Sequence, residues 1–337
     1  MAIDVKQAEF YGIKATGKRK EDMKRLYYFL RLTRETDDRM RKLWRSGQMF
    51  GTFFSQIGQE ATTVVPCFFL KEGDFVGVSH RDLGAFVTRG MPIEQIINQC
   101  LTRKTSQDKG IMHPVFWGWT PAKILTPCTV VASQVPVATG TALSFKMRGT
   151  DNVALMFTGE GGTSKGEWHE SLNFAGVHQL PIVYIVENNW WAESVPLNLQ
   201  AGVEDLSLRA KGYGFAGYRL DGNDPPALYD FFKDLIEKIR AGEHGPALVQ
   251  LDTYRWYGHS EIDPANYRAK EEEEIWKQRD PLKRMEEYLV KQKIMSQKEI
   301  EELTEKIKKD VLKAAEWALS QPDADPEEYL KQSVYAD

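Results

Sequence analysis

The chain has 337 residues, 42% of them hydrophobic, enough for a sizeable core in one large α/β domain with extensions or in two domains. A formal net charge of −4 gives no general attraction to nucleic acid or to acidic membranes, so neither is expected as a partner. The three cysteines, Cys67, Cys100 and Cys128, lie far apart and form neither a metal pattern nor a disulfide framework, which suits a reducing cytosol.

Residues 1–19 are polar and basic and read as a solvated arm. The opening Met1-Ala2-Ile3-Asp4-Val5-Lys6 has the character of neither a signal peptide nor an arginine-rich transit peptide, so a cytoplasmic protein is expected. From Glu21 to Ser46 the pattern is helical: Leu26, Phe29, Leu30 and Thr33 share a face, as do Met40, Leu43 and Trp44. Gly47 is the expected stop. Gln59 and Glu60 open a second helix toward Phe69, with Pro66 inside it predicting a kink or an early end. Phe75-Val76-Gly77-Val78 reads as a strand, and Ser79-His80-Arg81-Asp82 stands at its carboxyl end. The aromatic and proline-rich stretch from Gly110 to Gly118 reads as a packed loop. Thr126 to Gln134 then leads into a helix from Val135 to Met147.

The centre of the chain is residues 153–191. Val153 to Phe157 is a short apolar run, followed at once by Thr158-Gly159-Glu160-Gly161-Gly162. Trp168, Leu172, Ala175 and Gly176 recur at helical spacing, and Ile182 to Val186 is a second apolar run ending in Glu187-Asn188-Asn189. The pattern predicts strand, glycine turn, helix and strand, with the two strands parallel and ending at one edge of the sheet. Ligands of open parallel sheets sit at that edge. Glu160 and Asn189 are thereby aimed at one place, beside a helix N-terminus that favours phosphate. A carboxylate oxygen, an amide oxygen and a main-chain carbonyl from Trp191 suit a hard cation, and magnesium with a diphosphate is the natural reading. Two better-known phosphate motifs fail. The dinucleotide fingerprint needs a glycine where Ser164 stands, and the Walker pattern needs Gly-Lys before Ser or Thr, whereas Lys165 precedes Gly166 and Glu167.

Beyond this centre, Ala210 to Gly217 reads as a glycine-rich loop, and Tyr218 to Gly222 as a strand and turn. Pro226 to Arg240 is an amphipathic helix with Leu228, Phe231, Phe232, Leu235 and Ile239 on one side. Ala247 to Leu251 is a further strand, followed by a loop over 254–268 that holds Arg255, His259, Ser260 and Arg268. Pro281 to Gln292 and Ser296 to Leu319 read as helices, with Ser296 and Glu299 forming a capping box. The expected organisation is an N-terminal arm and helix over 1–50, an α/β domain over 51–268 and a helical extension over 269–337.

Gly159-Glu160-Gly161 followed by Asn188-Asn189 resembles the thiamine diphosphate motif. With Ile57-Gly58-Gln59-Glu60-Ala61, Ser79-His80-Arg81-Asp82 and Thr253 to Ser260, in that family's order, the chain resembles the alpha subunit of a 2-oxoacid dehydrogenase. The resemblance implies an α/β thiamine diphosphate-binding fold, a parallel sheet with helices on both faces. It implies cofactor contacts from His80, Arg81, Thr129, Val131, Gly159, Glu160, Gly161, Gly162, Asn189 and His259. It implies Mg2+ on Glu160, Asn189 and Trp191, K+ around Ser133 and Gln134 in some members, and a catalytic role for His259 in acylation of the lipoyl group. Ser260 matches a serine that a dedicated kinase modifies in some relatives. His80 stands where the family usually has Tyr, and Glu160 where many members have Asp.

The implied reaction is oxidative decarboxylation of a small-molecule 2-oxo acid. In the family, the glutamate that pairs with the pyrimidine ring lies on a beta subunit. This chain has no clear candidate for it and reads as half an enzyme, expected in an α2β2 heterotetramer docked with a lipoyl-bearing dihydrolipoyl acyltransferase. Phe54 stands where pyruvate-specific members have histidine; with Phe53, Phe116 and Trp117 nearby, and Gly159-Glu160-Gly161, the balance leans to a branched-chain acid. Ser79-His80-Arg81 and Ala192-Glu193 lean instead toward acetoin-cleaving members. A catalytically inactive scaffold subunit is the remaining alternative.

Overall fold

The structure is a computed structural model that describes residues 18–113 and 115–330; the expected arm over 1–17, Pro114 and residues 331–337 lie outside it. In chain order the helices are α1 (Arg19–Arg45), α2 (Glu60–Phe68), α3 (Leu83–Thr88), α4 (Ile93–Cys100), α5 (Val135–Arg148), α6 (Gly166–His178), α7 (Leu197–Gln200), α8 (Pro225–Arg240), α9 (Lys270–Lys277), α10 (Pro281–Lys291), α11 (Gln297–Leu319) and α12 (Pro326–Leu330). The strands are β1 (Phe75–Gly77), β2 (Ile124–Leu125), β3 (Ala154–Gly159), β4 (Ile182–Asn188), β5 (Trp191–Ala192), β6 (Val195–Pro196), β7 (Ala216–Asp221) and β8 (Ala247–Asp252).

Six strands form one sheet in the order β2-β1-β3-β4-β8-β7, and every pairing in it is parallel. The central β4 is buried along its whole length and β3 nearly so, as a parallel sheet covered on both faces requires. Side chains alternate between two cores. Leu155, Phe157, Val183 and Ile185 enter a core shared with α1, α8, α10 and α11. Ala154, Met156, Ile182, Tyr184 and Val186 face the other, with Val135, Trp168 and Leu172 of α5 and α6.

The strand order locates the ligand edge. From β1 the chain goes outward to β2; from its neighbour β3 it goes the opposite way to β4. Adjacent strands whose connections diverge open a crevice beyond their carboxyl ends. The β3–β4 register pairs Gly159 with Glu187, so Glu160 and Asn188-Asn189 leave the sheet side by side.

Most expected elements form, with shifts of a few residues at their ends. Pro66 lies in the last turn of α2, and the helix ends two residues later, at Phe68. Ser296 and Glu299 make the capping box of α11 in both directions. The stretch expected as a glycine-rich loop from Ala210 is largely a 3-10 helix over Leu206–Tyr213, started by the Asp205 side chain on the Ser207 N–H. Helices α3 and α4 were not foreseen. No helix among the described residues is long and apolar enough to cross a membrane.

Candidate functional site

The glycine turn after β3 is a 3-10 helix over Glu160–Ser164 that delivers the chain into α6. Its glycines are set by packing. A Cβ on Gly162 would meet Thr158 Oγ1 at 2.3 Å, and one on Gly161 would meet Ala192 Cβ at 2.8 Å. A Cβ on Gly159 would meet nothing within 4 Å, so glycine there keeps the space open. Glu160 is buried, and one carboxylate oxygen accepts the Asn189 backbone N–H at 3.2 Å. Thr163 Oγ1 and the Gln200 amide each donate to the Glu160 carbonyl at 2.7 Å, which fixes the turn from both sides.

A cavity of about 420 Å³ opens at this crevice. His80, Arg81, Thr129, Val131, Gly159, Glu160, Gly161, Gly162, Asn189, Trp191 and His259 all line it. These are all the residues to which the sequence reading assigns cofactor, magnesium or catalytic roles, drawn from five separated segments. Ser133 and Gln134 are not among the lining residues, and the Gln134 amide instead donates to the Val78 carbonyl at 3.0 Å. Ser260 is 7% exposed, so modification there requires its loop to open. A larger cavity, about 600 Å³, shares only Trp191 with this set; Glu204 and Glu272 are its ionisable residues. The chemistry therefore belongs to the smaller one.

The structure adds Gln59, Ser79, Lys165, Glu187, Ala192, Glu193 and Arg255 to the lining. Two of these hold buried polar atoms without a partner among the described residues: Gln59 Oε1 and Arg255 Nε. Orphaned buried donors and acceptors in a cavity mark where a ligand's polar atoms belong.

The electrostatics favour an anion. Arg81 is held by the Ser55 and His259 carbonyls, each at 2.7 Å. Arg255 is held by the Glu193 carbonyl and by the Tyr267 hydroxyl, the latter at 2.8 Å. Burial and then the neighbouring Arg255 charge lower Arg81 to about 10, and burial lowers Arg255 as well. Burial and the same two arginines hold His259 down at about 3, and burial keeps His80 well below its ordinary value, so both imidazoles are neutral. Burial, then the adjacent Asp82 carboxylate, pushes Glu187 well up, so the pair shares a proton that Glu187 carries. Burial also raises Glu160. Two buried guanidinium groups, Arg81 and Arg255, thus face the crevice between strand ends, with the Glu160 carboxyl beside them.

Phe54 is not among the residues lining this cavity; it backs the two imidazoles, its ring centroid 4.3 Å from that of His80 and 5.1 Å from that of His259. Phe116 lies 6.4 Å from His80. Phe53 and Trp117 are buried in the core, Trp117 against Phe86 at 4.2 Å.

The residues present fit magnesium and a diphosphate. Among the described residues there is no cluster of three or more His, Cys, Asp or Glu able to hold a metal by itself. The donor set is one carboxylate, one amide oxygen and a main-chain carbonyl, which suits an ion that takes its remaining oxygens from phosphate and water.

Known proteins place the chain. The family described as the dehydrogenase E1 component matches residues 28–327. The 2-oxoisovalerate dehydrogenase subunit alpha of Bacillus subtilis (strain 168) is 36% identical over 314 residues, 92% of this chain and 94% of that protein. The pyruvate dehydrogenase E1 component subunit alpha of Porphyra purpurea is 30% identical over 319 residues, 93% of this chain and 92% of that protein. The corresponding pyruvate dehydrogenase subunit of Bacillus subtilis (strain 168) is 32% identical over 305 residues, 90% of this chain and 78% of that protein. With this match along nearly its whole length, on a parallel sheet whose crevice gathers the expected residues, the chain belongs to the dehydrogenase E1 component family as a 2-oxoacid dehydrogenase alpha subunit.

Proposed function

We propose that the chain binds thiamine diphosphate through magnesium and, with a beta subunit in an α2β2 assembly, decarboxylates a 2-oxo acid and passes the acyl group to a lipoyl group. The observation that carries this reading is the convergence of eleven expected residues on one cationic cavity that holds the unpartnered Arg255 Nε and Gln59 Oε1.

In this reading Glu160, the Asn189 side chain and the Trp191 carbonyl hold the metal, and Arg81 and Arg255 take the phosphate oxygens. The glycines of 159–162 let the backbone approach. Thr129 and Val131 line the same cavity, Val131 beside Gly162, and would flank the other end of the cofactor. The bound cofactor supplies the electron sink that no side chain offers when the bond to the carboxyl carbon breaks. His259, neutral and beside Arg81, would orient the lipoyl group through a hydrogen bond at its ring nitrogen during acylation. Phe54 and Phe116 exclude water over the imidazoles.

A branched-chain acid is favoured over pyruvate. Phe54 puts an apolar ring behind His80 and His259, where the sequence offers no polar group to favour a short substrate, and the 36% identical relative is named for 2-oxoisovalerate. The lipoyl group would arrive on an acyltransferase and be reduced as it accepts the acyl group. A cytoplasmic setting is supported by three cysteines that are all free.

The test is reconstitution with a beta subunit and assay of carbon dioxide release from several 2-oxo acids and of acetaldehyde from acetoin, with a dye as electron acceptor. Turnover that requires both thiamine diphosphate and magnesium is expected. An assembly that binds the cofactor without turning over any of these substrates would instead support the scaffold alternative.

A further inference from the structure

Asp37 lies on α1 and is 1% exposed. One of its carboxylate oxygens accepts the Ser55 hydroxyl at 2.6 Å, and the other accepts the Gln56 backbone N–H at 2.7 Å. Arg41, one turn along α1, is engaged elsewhere, on Glu261 with contacts of 2.5 and 3.2 Å. A buried carboxyl without a cation of its own is costly. What it holds is the turn that carries the site. The carbonyl of Ser55 clamps Arg81 at 2.7 Å, and the other arm of Arg81 reaches the His259 carbonyl at 2.7 Å. Phe54, one residue earlier, carries the ring against His80 and His259. The Gln56 amide pins the far side of the turn, donating to Thr63 at 2.6 Å and accepting from the Gly84 N–H at 2.7 Å.

We propose that Asp37 is a positioning residue for this site: its buried carboxyl fixes the 54–56 turn, and through that turn the Arg81 guanidinium and the His259 loop. Only the carboxylate does this fully. Ser55 Oγ also accepts the Ile57 N–H at 3.2 Å, so its own hydrogen needs the Asp37 oxygen. A protonated Asp37 donates to Ser55 Oγ and accepts from Gln56 only as a neutral carboxyl, so both anchors persist as weaker bonds without charge assistance and the Ser55 hydrogen loses its acceptor.

Protonation falls in an accessible range. Burial pushes the Asp37 carboxyl up to about 7, against the pull of the Ser55 and Gln56 bonds. Of the charged and titratable groups facing it, Glu60 on α2 raises it further and Arg41 on its own helix lowers it. Arg81 beyond β1 and the Cys100 thiol on α4 feel its charge in turn, and Glu261 stands behind Arg41. The sign for stability follows from linkage. The folded state binds this proton more tightly than the unfolded chain, so raising the pH from about 4 to 7 lowers stability through this group. Order in the turn moves the other way. Affinity at the site and stability of the fold are therefore opposed across this window.

This inference rests on the cofactor reading above. Its test is calorimetric titration of thiamine diphosphate, with magnesium, into the α2β2 assembly between pH 5.5 and 8.5, beside thermal melts at each pH. The diphosphate's own ionisation gives a limb common to all variants, so the Asp37 contribution is the difference between profiles. Wild type is expected to gain about ten-fold in affinity through pH 7 beyond that common limb, the effect of one hydrogen bond to a charged group. Asp37→Asn is expected to stay at the weak value while melting no lower than wild type at pH 8, and Asp37→Glu to restore part of the gain. Ser55→Ala removes a bond that lowers the Asp37 value and is expected to move the midpoint upward. Superposable wild-type and Asp37→Asn profiles would overturn the proposal. So would a loss of affinity matched at every pH by a loss of melting temperature, the mark of a merely structural role. Absence of cofactor binding by wild type at any pH would remove the underlying reading and the proposal with it, and is recognised in the wild-type arm alone.

Discussion

Glu160 is buried and raised by burial, so its charge is held at a cost that a bound cation offsets. Glu160→Ala is expected to weaken binding of the magnesium–diphosphate pair by about 2–4 kcal/mol, as when one partner leaves a buried charge contact. Calorimetry with and without magnesium reads this; equal affinity and equal metal dependence would refute the assignment. Phe54 carries the substrate claim. 3-Methyl-2-oxobutanoate has two more carbons than pyruvate, worth about 0.8 kcal/mol each when buried, so roughly a fifteen-fold preference in kcat/KM is expected. Phe54→Ala should shrink that ratio, and a wild-type preference for pyruvate or acetoin would defeat the pocket argument while leaving the cofactor assignment standing. Glu160 and Asn189 were legible because they follow apolar runs at the same strand end, where register leaves little freedom. Arg255 and Gln59 were visible as members of motifs, but not as unpartnered buried groups. Their approach to Glu160 depends on how the loop after β8 folds over the entry to α2, which no local pattern encodes.

At the level of elements, the doubly wound core was readable because β3, β4 and β8 are continuous apolar runs between breakers. Short elements were not. Helix α3 has six residues, too few for a periodicity to emerge. Helix α4 does carry its signal in Ile93, Ile96, Ile97 and Cys100, all buried at helical spacing, and a window confined to residues 93–100 finds it. The 3-10 segment over Leu206–Tyr213 was concealed by its glycine. Its packing on α6 is tight: a Cβ on Gly176 would meet the Tyr213 carbonyl oxygen at 2.1 Å. Backbone cannot yield as a flexible side chain does. Gly176→Ala is therefore expected to destabilise the fold by about 1–3 kcal/mol, read by denaturant unfolding, whereas Gly140→Ala, with nothing within 4 Å of the added Cβ, should not destabilise it. Equal losses from the two substitutions would refute this account of the α6 contact.

For the whole molecule, the first core joins Leu26 and Phe29 of α1, the sheet residues Leu155 and Ile185, and Ile307 and Val311 of α11 in one cluster. The long helices α1 and α11, on either side of the sheet in sequence, thus share a core with its strands. If a beta subunit supplies the glutamate that pairs with the pyrimidine ring, the purified chain alone is expected to decarboxylate no 2-oxo acid. Turnover clearly above background without a partner would show that the division of labour is wrong.

The two guanidinium groups at the strand ends have a consequence beyond chemistry. Arg81 and Arg255 sit in low dielectric, where burial loosens both guanidinium groups' hold on their protons and the Arg255 charge loosens that of Arg81 further, so an anion that joins them should stabilise the fold. A diphosphate at a hundred times its dissociation constant should add about 2.7 kcal/mol to stability, visible as a rise in melting temperature that thiamine without phosphate does not reproduce. In a cell, protease attack samples the unfolded fraction. The lifetime of this subunit should then follow cofactor supply: where thiamine diphosphate runs short, the protein itself is expected to become scarce, not merely idle.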